Sequence, residues 1–155
     1  AMQAAAPQLI VGMGTVTRPE QAEAAADAGA AFLVSPGLTP ALARAMVETG
    51  TPCLPGVATA GEAMAAVEAG FEALKFFPAE PAGGIAYLKA LAGPLPDIMF
   101  CPTGGISRER ARDYLALKTV ACCGGSWIAT PHMIAQGDWD TVIENARYAA
   151  SISKH

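Results

Sequence analysis

The chain has 155 residues, of which 52% are hydrophobic and 15% charged, and it carries a formal net charge of −4. The high hydrophobic content excludes a disordered chain and predicts one compact domain over residues 1–155, while the acidic balance argues against a protein that binds the nucleic-acid phosphate backbone. Because 16 Gly and 12 Pro interrupt the apolar residues, no run approaches the roughly 20 residues that span a bilayer, and a membrane protein is not expected.

Short apolar runs alternate with Ala-rich segments of helical spacing along the chain. The predicted strands are 9–16, 31–36, 51–57, 73–77, 98–103 and 120–126. The predicted helices are 19–28, 40–49, 61–69, 83–92, 108–117 and 138–151. Thr39 before Pro40 predicts a helix start, and the glycines at 29, 50, 70 and 137 predict helix ends. Because a parallel strand pair needs a crossover connection, this alternation predicts a parallel sheet covered by helices. We therefore expect an α/β fold with six βα units.

A turn signal lies near the end of, or just after, each predicted strand. These residues are Gly12 and Gly14, Pro36 and Gly37, Pro55 and Gly56, Pro78, Gly104 and Gly105, and Gly124 and Gly125. In a parallel sheet these loops share one end, and in a (β/α)8 barrel that end holds the active site. A closed barrel needs eight units and at least about 200 residues, so six units are two short of a barrel.

Lys75 is the residue that points most directly to chemistry. It lies in the apolar run 73–78, where a charge is costly unless it is paired or used. A desolvated lysine loses proton affinity, and its neutral amine can attack a ketone to form a Schiff base. The alternative is a lysine whose ammonium reaches solvent past its own apolar stem. Glu80 is either a proton-transfer group near this lysine or a solvated loop residue.

Glycine pairs end the last two predicted strands, in the segments 103–106 and 124–126. Paired glycines let backbone N–H groups converge on an anion, so two such loops predict a phosphate site. The alternative is that each pair only makes a tight turn. At the same end of the sheet, Thr15 is placed either to bind a substrate carboxylate or to pack, and Ser35 also reaches this end.

The four cysteines lie in apolar, strand-like runs. They are Cys53, Cys101, Cys122 and Cys123, and we expect them to be reduced and buried. Neither a paired CxxC motif nor clustered histidines accompany them, so no metal site is predicted. Reduced cysteines predict a cytoplasmic protein, and no signal peptide is visible in the sequence.

Five collinear segments carry a resemblance to a known family. They are Val11–Val16, Ser35–Thr39, Lys75–Glu80, Phe100–Ile106 and Gly124–Trp127. Together they resemble the 2-keto-3-deoxy-6-phosphogluconate (KDPG) aldolases and 4-hydroxy-2-oxoglutarate (KHG) aldolases. The resemblance implies a class I lyase with a (β/α)8 TIM barrel, commonly a homotrimer, that uses no metal or cofactor. It implies cleavage of KDPG to pyruvate and glyceraldehyde 3-phosphate, and often of 4-hydroxy-2-oxoglutarate to pyruvate and glyoxylate.

The resemblance also assigns roles to individual residues. By position, Lys75 is the Schiff-base lysine, and Thr15, Pro36 and Thr103 line the pyruvate part of the pocket. The phosphate-binding loops match Gly104, Gly105, Gly124, Gly125 and Ser126. Thr103 also favours the gluconate substrate, because relatives of the galactonate type tend to be apolar there.

The front of the chain departs from the family pattern. Family members carry a further βαβ segment before Val11, with a proton-shuttling glutamate and a carboxylate-binding arginine that have no counterpart here. We therefore expect an N-terminally incomplete barrel that lacks its first two strands. Two alternatives stay open. One is a non-catalytic phosphate-binding or assembly module, and the other is an aldolase whose main substrate is 4-hydroxy-2-oxoglutarate.

Overall fold

The computed structural model describes residues 2–152, and its backbone forms two compact units that divide between Phe77 and Pro78. A single domain over residues 1–155 stays a prediction. No helix within the described range is both long and apolar enough to span a membrane.

The first unit contains four helices and four short strands. The helices are α1 (Met2–Ala5), α2 (Pro19–Asp27), α3 (Pro40–Glu48) and α4 (Ala60–Glu68), and the strands are β1 (Leu33–Val34), β2 (Cys53–Leu54), β3 (Gly56–Val57) and β4 (Ala73–Phe76). β1 pairs with β2, and β3 pairs with β4, both in parallel. The parallel α/β prediction is confirmed for this unit.

The second unit contains one strand and more helix. Its elements are α5 (Gly84–Ala92), β5 (Met99–Pro102), α6 (Ala111–Leu115), a 3-10 helix (Ser126–Ile128), α7 (Pro131–Gln136) and α8 (Trp139–Ile152). Parallel bridges join Phe100 to Val120 and Thr103 to Gly124. The segment after α6 therefore runs alongside β5 without forming a strand of its own.

Four predicted strands are wrong in extent, and the run 31–36 forms a strand only over Leu33–Val34. The run 9–16 is reduced to a bridge at Met13, and the run 120–126 is reduced to two bridges before the 3-10 helix. The run 51–57 is split at Pro55, which has no N–H to continue a ladder, into β2 and β3. Helix α1 was not predicted, and of α7 only the start at Pro131 was predicted, because neither helix is long enough to show helical periodicity.

Helix ends follow the predicted signals. The Thr39 hydroxyl accepts a hydrogen bond from the Leu42 N–H (3.2 Å) at the start of α3. Four glycines that follow helices adopt positive φ, with values of 81° at Gly29, 65° at Gly50, 95° at Gly70 and 66° at Gly137, whereas Gly93 after α5 stays right-handed at −53°. The left-handed region is where glycine is favoured, so these residues end the helices as predicted.

The buried side chains include small ones on α2 and α4 and large ones elsewhere. Alanines line the buried sides of α2 and α4, at positions 22, 25, 63 and 66. In the second unit, Leu88, Phe100 and Tyr114 are fully buried. Because alanine is small, a helix with alanine on its buried face can pack closely against its neighbours. A chain rich in alanine can therefore still form compact units.

The prediction of four buried cysteines is wrong for three of them. Cys101 on β5 is buried, but Cys53 and Cys123 are half-buried and Cys122 is exposed. None forms a disulfide. For Cys122 and Cys123 the error follows from the missing strand at 120–126, whereas Cys53 lies on β2 and is still only half-buried. A hydrogen bond from the Cys101 thiol lowers the pKa of Cys122 to about 7, against the opposing effect of its partial burial.

The start of α4 provides a stability prediction. Thr59 Oγ1 accepts from the Glu62 N–H (3.3 Å), and the Glu62 carboxylate accepts from the Thr59 N–H (3.0 Å) in return. We expect Thr59→Ala to lower the free energy of unfolding by about 1 kcal/mol, because a free helix N–H loses its acceptor. Urea denaturation measures this change. Thr59→Ser keeps the hydroxyl and should retain most of the stability, so an equal loss in both variants would contradict the capping role.

Candidate active site

Lys75 lies in the middle of β4, between two fully buried residues, Leu74 and Phe76. Because side chains alternate along a strand, Lys75 and Phe77 share the opposite face. Lys75 is half-buried, and its Nζ lies 4.4 Å from the centroid of the Phe77 ring. The amine therefore lies against an aromatic ring, and the side chain is only partly exposed to solvent. Such a partly desolvated amine is suited to nucleophilic attack on a carbonyl.

Pro36 is held beside the strand pair that carries Lys75. Gly56 is the register partner of Lys75 in the β3–β4 pair. A Cβ atom on Gly56 would lie 2.3 Å from the carbonyl carbon of Pro36, so only glycine permits this approach of the two backbones. The buried Ser35 hydroxyl accepts from the Gly56 N–H (3.3 Å). Ser35 thus has a structural role, and it fixes the Pro36 loop next to β3.

Thr15 has an unusual backbone conformation, with φ at 60°. Among the described residues it is the non-glycine residue with positive φ. The Val34 N–H donates to the Met13 carbonyl (2.8 Å), but the Val34 carbonyl accepts from Val16 rather than from Thr15 (3.0 Å). Thr15 is therefore an extra residue, a bulge that displaces it from the ladder into an exposed position. Strain of this kind occurs often at functional positions.

Thr103 follows β5, and its hydroxyl is buried without a hydrogen-bond partner in the part of the chain that the structure describes. Its methyl group lies against Gly124, where an added Cβ would be 2.4 Å from Thr103 Cγ2. Glycine at position 124 thus makes room for the threonine. A buried hydroxyl without a partner costs free energy, which distinguishes Thr103 from a residue that only packs.

Gly104 and Gly105 form a sharp turn after Thr103, with φ values of 102° and 78°. L side chains rarely adopt either conformation, so both positions require glycine. The Thr103 carbonyl accepts from the Ala79 N–H (2.8 Å), and the Gly104 carbonyl accepts from the Glu80 N–H (3.0 Å). The turn is therefore anchored through its carbonyl groups.

The second glycine pair, Gly124 and Gly125, is needed for a different reason from the first. An added Cβ at Gly125 would lie 2.2 Å from Trp127 Nε1, so the pair provides space rather than a left-handed turn. Ser126 follows at the start of the 3-10 helix and is exposed. Since Thr103 and Gly124 are bridge partners, the structure brings the two glycine loops side by side within the second unit.

The predicted site residues divide between the two units. Lys75, Pro36 and Thr15 belong to the first unit, and Pro36 adjoins the strand that pairs with the Lys75 strand. Thr103 and the residues of both glycine loops belong to the second unit, where the bridge joins them. Within residues 2–152, no group of three His, Cys, Asp or Glu side chains could hold a metal ion.

Asn145 on α8 supports the site and was missed by sequence reasoning. Its side chain is 5% exposed, and Nδ2 donates to the carbonyls of Trp127 (3.0 Å) and Ile128 (3.5 Å). Its Oδ1 accepts from Arg108 Nη1 (3.3 Å). Asn145 thus ties the turn that follows Ser126 to the segment that follows Gly105. The available signal was a polar residue on the apolar stripe of α8.

Comparison with known proteins decides the family. Residues 1–145 match the family described as KDPG and KHG aldolase. The chain belongs to the KDPG and KHG aldolase family. The KHG/KDPG aldolase of Escherichia coli (strain K12) is 47% identical over 148 residues, which cover 96% of this chain and 70% of that protein. The 2-dehydro-3-deoxy-phosphogluconate aldolase of Dickeya dadantii is 48% identical over 145 residues, covering 94% and 68%.

Solved structures of this aldolase family share the fold. The KDPG aldolase of Legionella pneumophila, with pyruvate captured as a covalent carbinolamine intermediate, superposes with a TM-score of 0.91 at 40% identity. The match covers 99% of this chain and 73% of that one. The KDPG aldolase of Zymomonas mobilis ATCC 29191 superposes with a TM-score of 0.90 at 37% identity, covering 96% and 70%. The resemblance found in the sequence is therefore confirmed.

The Asn145 contacts lead to a prediction about stability. We expect Asn145→Leu to lower the free energy of unfolding by about 1 to 3 kcal/mol, because it leaves the part-buried carbonyl of Trp127 without its side-chain donor. Urea denaturation measures the loss. The control is Glu144→Gln at the neighbouring position, where the side chain is 73% exposed and pairs with Arg108 at 3.6 Å. An exposed ion pair contributes little, so the control should change stability by less than about 0.5 kcal/mol.

Proposed function

We propose that this chain is a class I aldolase that cleaves 2-keto-3-deoxy-6-phosphogluconate to pyruvate and glyceraldehyde 3-phosphate through an imine on Lys75. The family match over residues 1–145 carries the proposal. The Legionella relative supports it, since a carbinolamine forms when an amine adds to a ketone. In this chain Lys75 supplies the amine, and its half-buried position beside the Phe77 ring suits it to that role.

The chemistry follows from the electron demand of the imine. The Lys75 amine attacks the C2 ketone, and the carbinolamine loses water to give a protonated imine. When the C3–C4 bond breaks, its electron pair moves into the imine and forms an enamine, while the C4 hydroxyl loses its proton and becomes the aldehyde. Protonation at C3 and hydrolysis then release pyruvate and restore the amine. The base for the C4 hydroxyl is, by the resemblance, a glutamate without a counterpart in these 155 residues.

We assign Thr15, Pro36 and Thr103 to the pyruvate portion of the substrate. The partnerless Thr103 hydroxyl supports this assignment, because a substrate carboxylate or ketone oxygen would satisfy it. The bulge at Thr15 supports the assignment of that residue, since the bulge takes the Thr15 backbone out of the ladder and leaves the residue exposed. Pro36 is held rigidly by the close approach of its loop to Gly56.

We assign the substrate phosphate to the two glycine loops. Gly104, Gly105, Gly124, Gly125 and Ser126 form this group. Their side-by-side placement after β5 supports the assignment, because small residues leave backbone N–H groups accessible to an anion. The Ser126 hydroxyl is exposed at the start of a 3-10 helix, where it adds a donor.

The proposal includes the assembly that the family resemblance implies. We infer a (β/α)8 barrel of which these residues form about six βα units, in a cytoplasmic homotrimer without metal or cofactor. Exposed apolar side chains on α3 and α4, such as Val47 and Met64, offer surface for association.

A second substrate has specific support. The Escherichia coli relative is named a KHG/KDPG aldolase, so 4-hydroxy-2-oxoglutarate is a further candidate for this chain. That substrate carries no phosphate. It therefore tests the imine chemistry separately from the glycine loops.

Borohydride trapping tests the imine. Reduction of the protein with pyruvate should increase its mass by about 72 Da, the mass of pyruvic acid less one oxygen, with the adduct on Lys75 in peptide mass spectra. Lys75→Ala should abolish the adduct, while Lys89→Ala, at an exposed lysine of α5, should keep it. A folded wild-type chain without adduct would favour the non-catalytic phosphate-binding module instead.

Ser126→Ala tests the phosphate assignment. We expect KM for KDPG to rise about tenfold, since loss of a hydrogen bond to a charged group costs about 1.5 kcal/mol. Cleavage of 4-hydroxy-2-oxoglutarate should be unaffected, and Ser151→Ala on α8 is the matched control. Steady-state kinetics on both substrates measure the difference. An equal effect on the two substrates would show that Ser126 does not contact phosphate.

A further inference from the structure

Glu80 touches the Gly104–Gly105 turn in two ways. Its N–H donates to the Gly104 carbonyl (3.0 Å), beside the bond from Ala79 to the Thr103 carbonyl. Its side chain also packs against the turn, because an added Cβ at Gly105 would lie 2.9 Å from Glu80 Cβ and 3.3 Å from Cγ. The first glycine loop therefore rests on Glu80 through both backbone and side chain.

The Glu80 carboxylate is itself held in place. Tyr114 Oη donates to Glu80 Oε1 at 2.6 Å, the length of a strong charge-assisted hydrogen bond. Tyr114 is fully buried on α6, so its ring has little freedom to move. Burial, together with the hydrogen bond to Glu80, raises the pKa of Tyr114, so the phenol stays a donor at neutral pH.

Arg110 completes the network from the far end of the same loop. Its Nη2 lies 3.4 Å from Glu80 Oε1, and Arg110 directly precedes α6. The segment 104–110 is thus tied to Glu80 at its start, through the Gly104 carbonyl, and at its end, through the guanidinium. A loop fixed at both ends has fewer conformations to lose when it binds a ligand.

We propose that Glu80, Tyr114 and Arg110 form a positioning network that holds the Gly104–Gly105 turn ready for the substrate phosphate and so sets the preference for phosphorylated substrates. This inference rests on the proposed function. Glu80 is a positioning residue in this proposal, since Tyr114 and Arg110 both contact its Oε1 atom. A preorganised loop lowers KM for a phosphorylated substrate and leaves a substrate without phosphate unaffected.

Tyr114→Phe is the decisive variant, because it removes the hydroxyl and keeps the buried ring. We expect KM for KDPG to rise about five- to tenfold, with kcat within about twofold, and KM for 4-hydroxy-2-oxoglutarate to stay within about twofold. Glu80→Gln retains an acceptor for Tyr114 and should show a smaller rise than Glu80→Ala. Tyr87→Phe on α5, at a tyrosine that is 36% exposed, is the matched control and should behave as wild type.

The outcome that overturns the network is an equal change for both substrates, or an unchanged KM for KDPG. Either result would leave Tyr114 with a structural role alone. Circular dichroism and urea denaturation check that each variant folds. Should Tyr114→Phe fail to fold, the comparison of Glu80→Gln with Glu80→Ala makes the same test.

A binding measurement separates this inference from the proposed aldolase activity. Titration with inorganic phosphate, followed by the amide NMR signals of Gly104 and Gly105, needs no turnover. We expect saturable shifts in the wild-type chain and weaker binding in Tyr114→Phe. Shifts without a pyruvate adduct on Lys75 would overturn the aldolase and keep the network. An adduct with equal phosphate affinity in wild type and Tyr114→Phe would keep the aldolase and overturn the network.

Discussion

Parallel strand pairing with very short strands is the constraint on which the loops of this chain depend. The strands are two to four residues long, so much of the order lies in hydrogen bonds just beyond their ends. The Thr103–Gly124 bridge and the bond from Ala79 to the Thr103 carbonyl are examples. Because parallel strands deliver their carboxyl ends to one edge of a sheet, the same bonds that extend each ladder also position the candidate site residues.

Two bulges show how the ladders end. In a regular parallel pair, a residue donates its N–H to one residue of the partner strand and accepts, through its carbonyl, from the residue two positions further along that strand. Here the Val34 carbonyl accepts from Val16 instead of Thr15, and the Pro102 carbonyl accepts from Gly124 instead of Cys123. One extra residue is inserted at each place. The first bulge turns Thr15 out of the ladder, and the second brings Gly124 beside Thr103, so each interruption occurs where a candidate binding residue is needed.

The sequence predicts what depends on local composition and misses what depends on distant contacts. The apolar run around Lys75 made this lysine a candidate for the site. The glycines after four helices predicted helix ends in the left-handed conformation. The bulges were not predicted, since the apolar residues at 120–126 indicate a strand whether or not one of them is inserted between two hydrogen-bonded positions. The hydrogen bond from Tyr114 to Glu80 joins residues 34 positions apart, and the bond from Arg108 to Asn145 joins residues 37 positions apart. Hydrophobic periodicity does not predict contacts at such sequence separations.

Two buried hydroxyls show how a structural role is distinguished from a binding role. Ser35 and Thr103 both follow strands, and the sequence treats them alike. The Ser35 hydroxyl accepts from the Gly56 N–H, so its burial is compensated within the fold. The Thr103 hydroxyl has no such partner in residues 2–152, which costs about 1 to 3 kcal/mol. Valine at position 103 would fill the same space beside Gly124 without that cost, so packing does not explain threonine there. The proposed contact with a substrate oxygen would supply the missing partner.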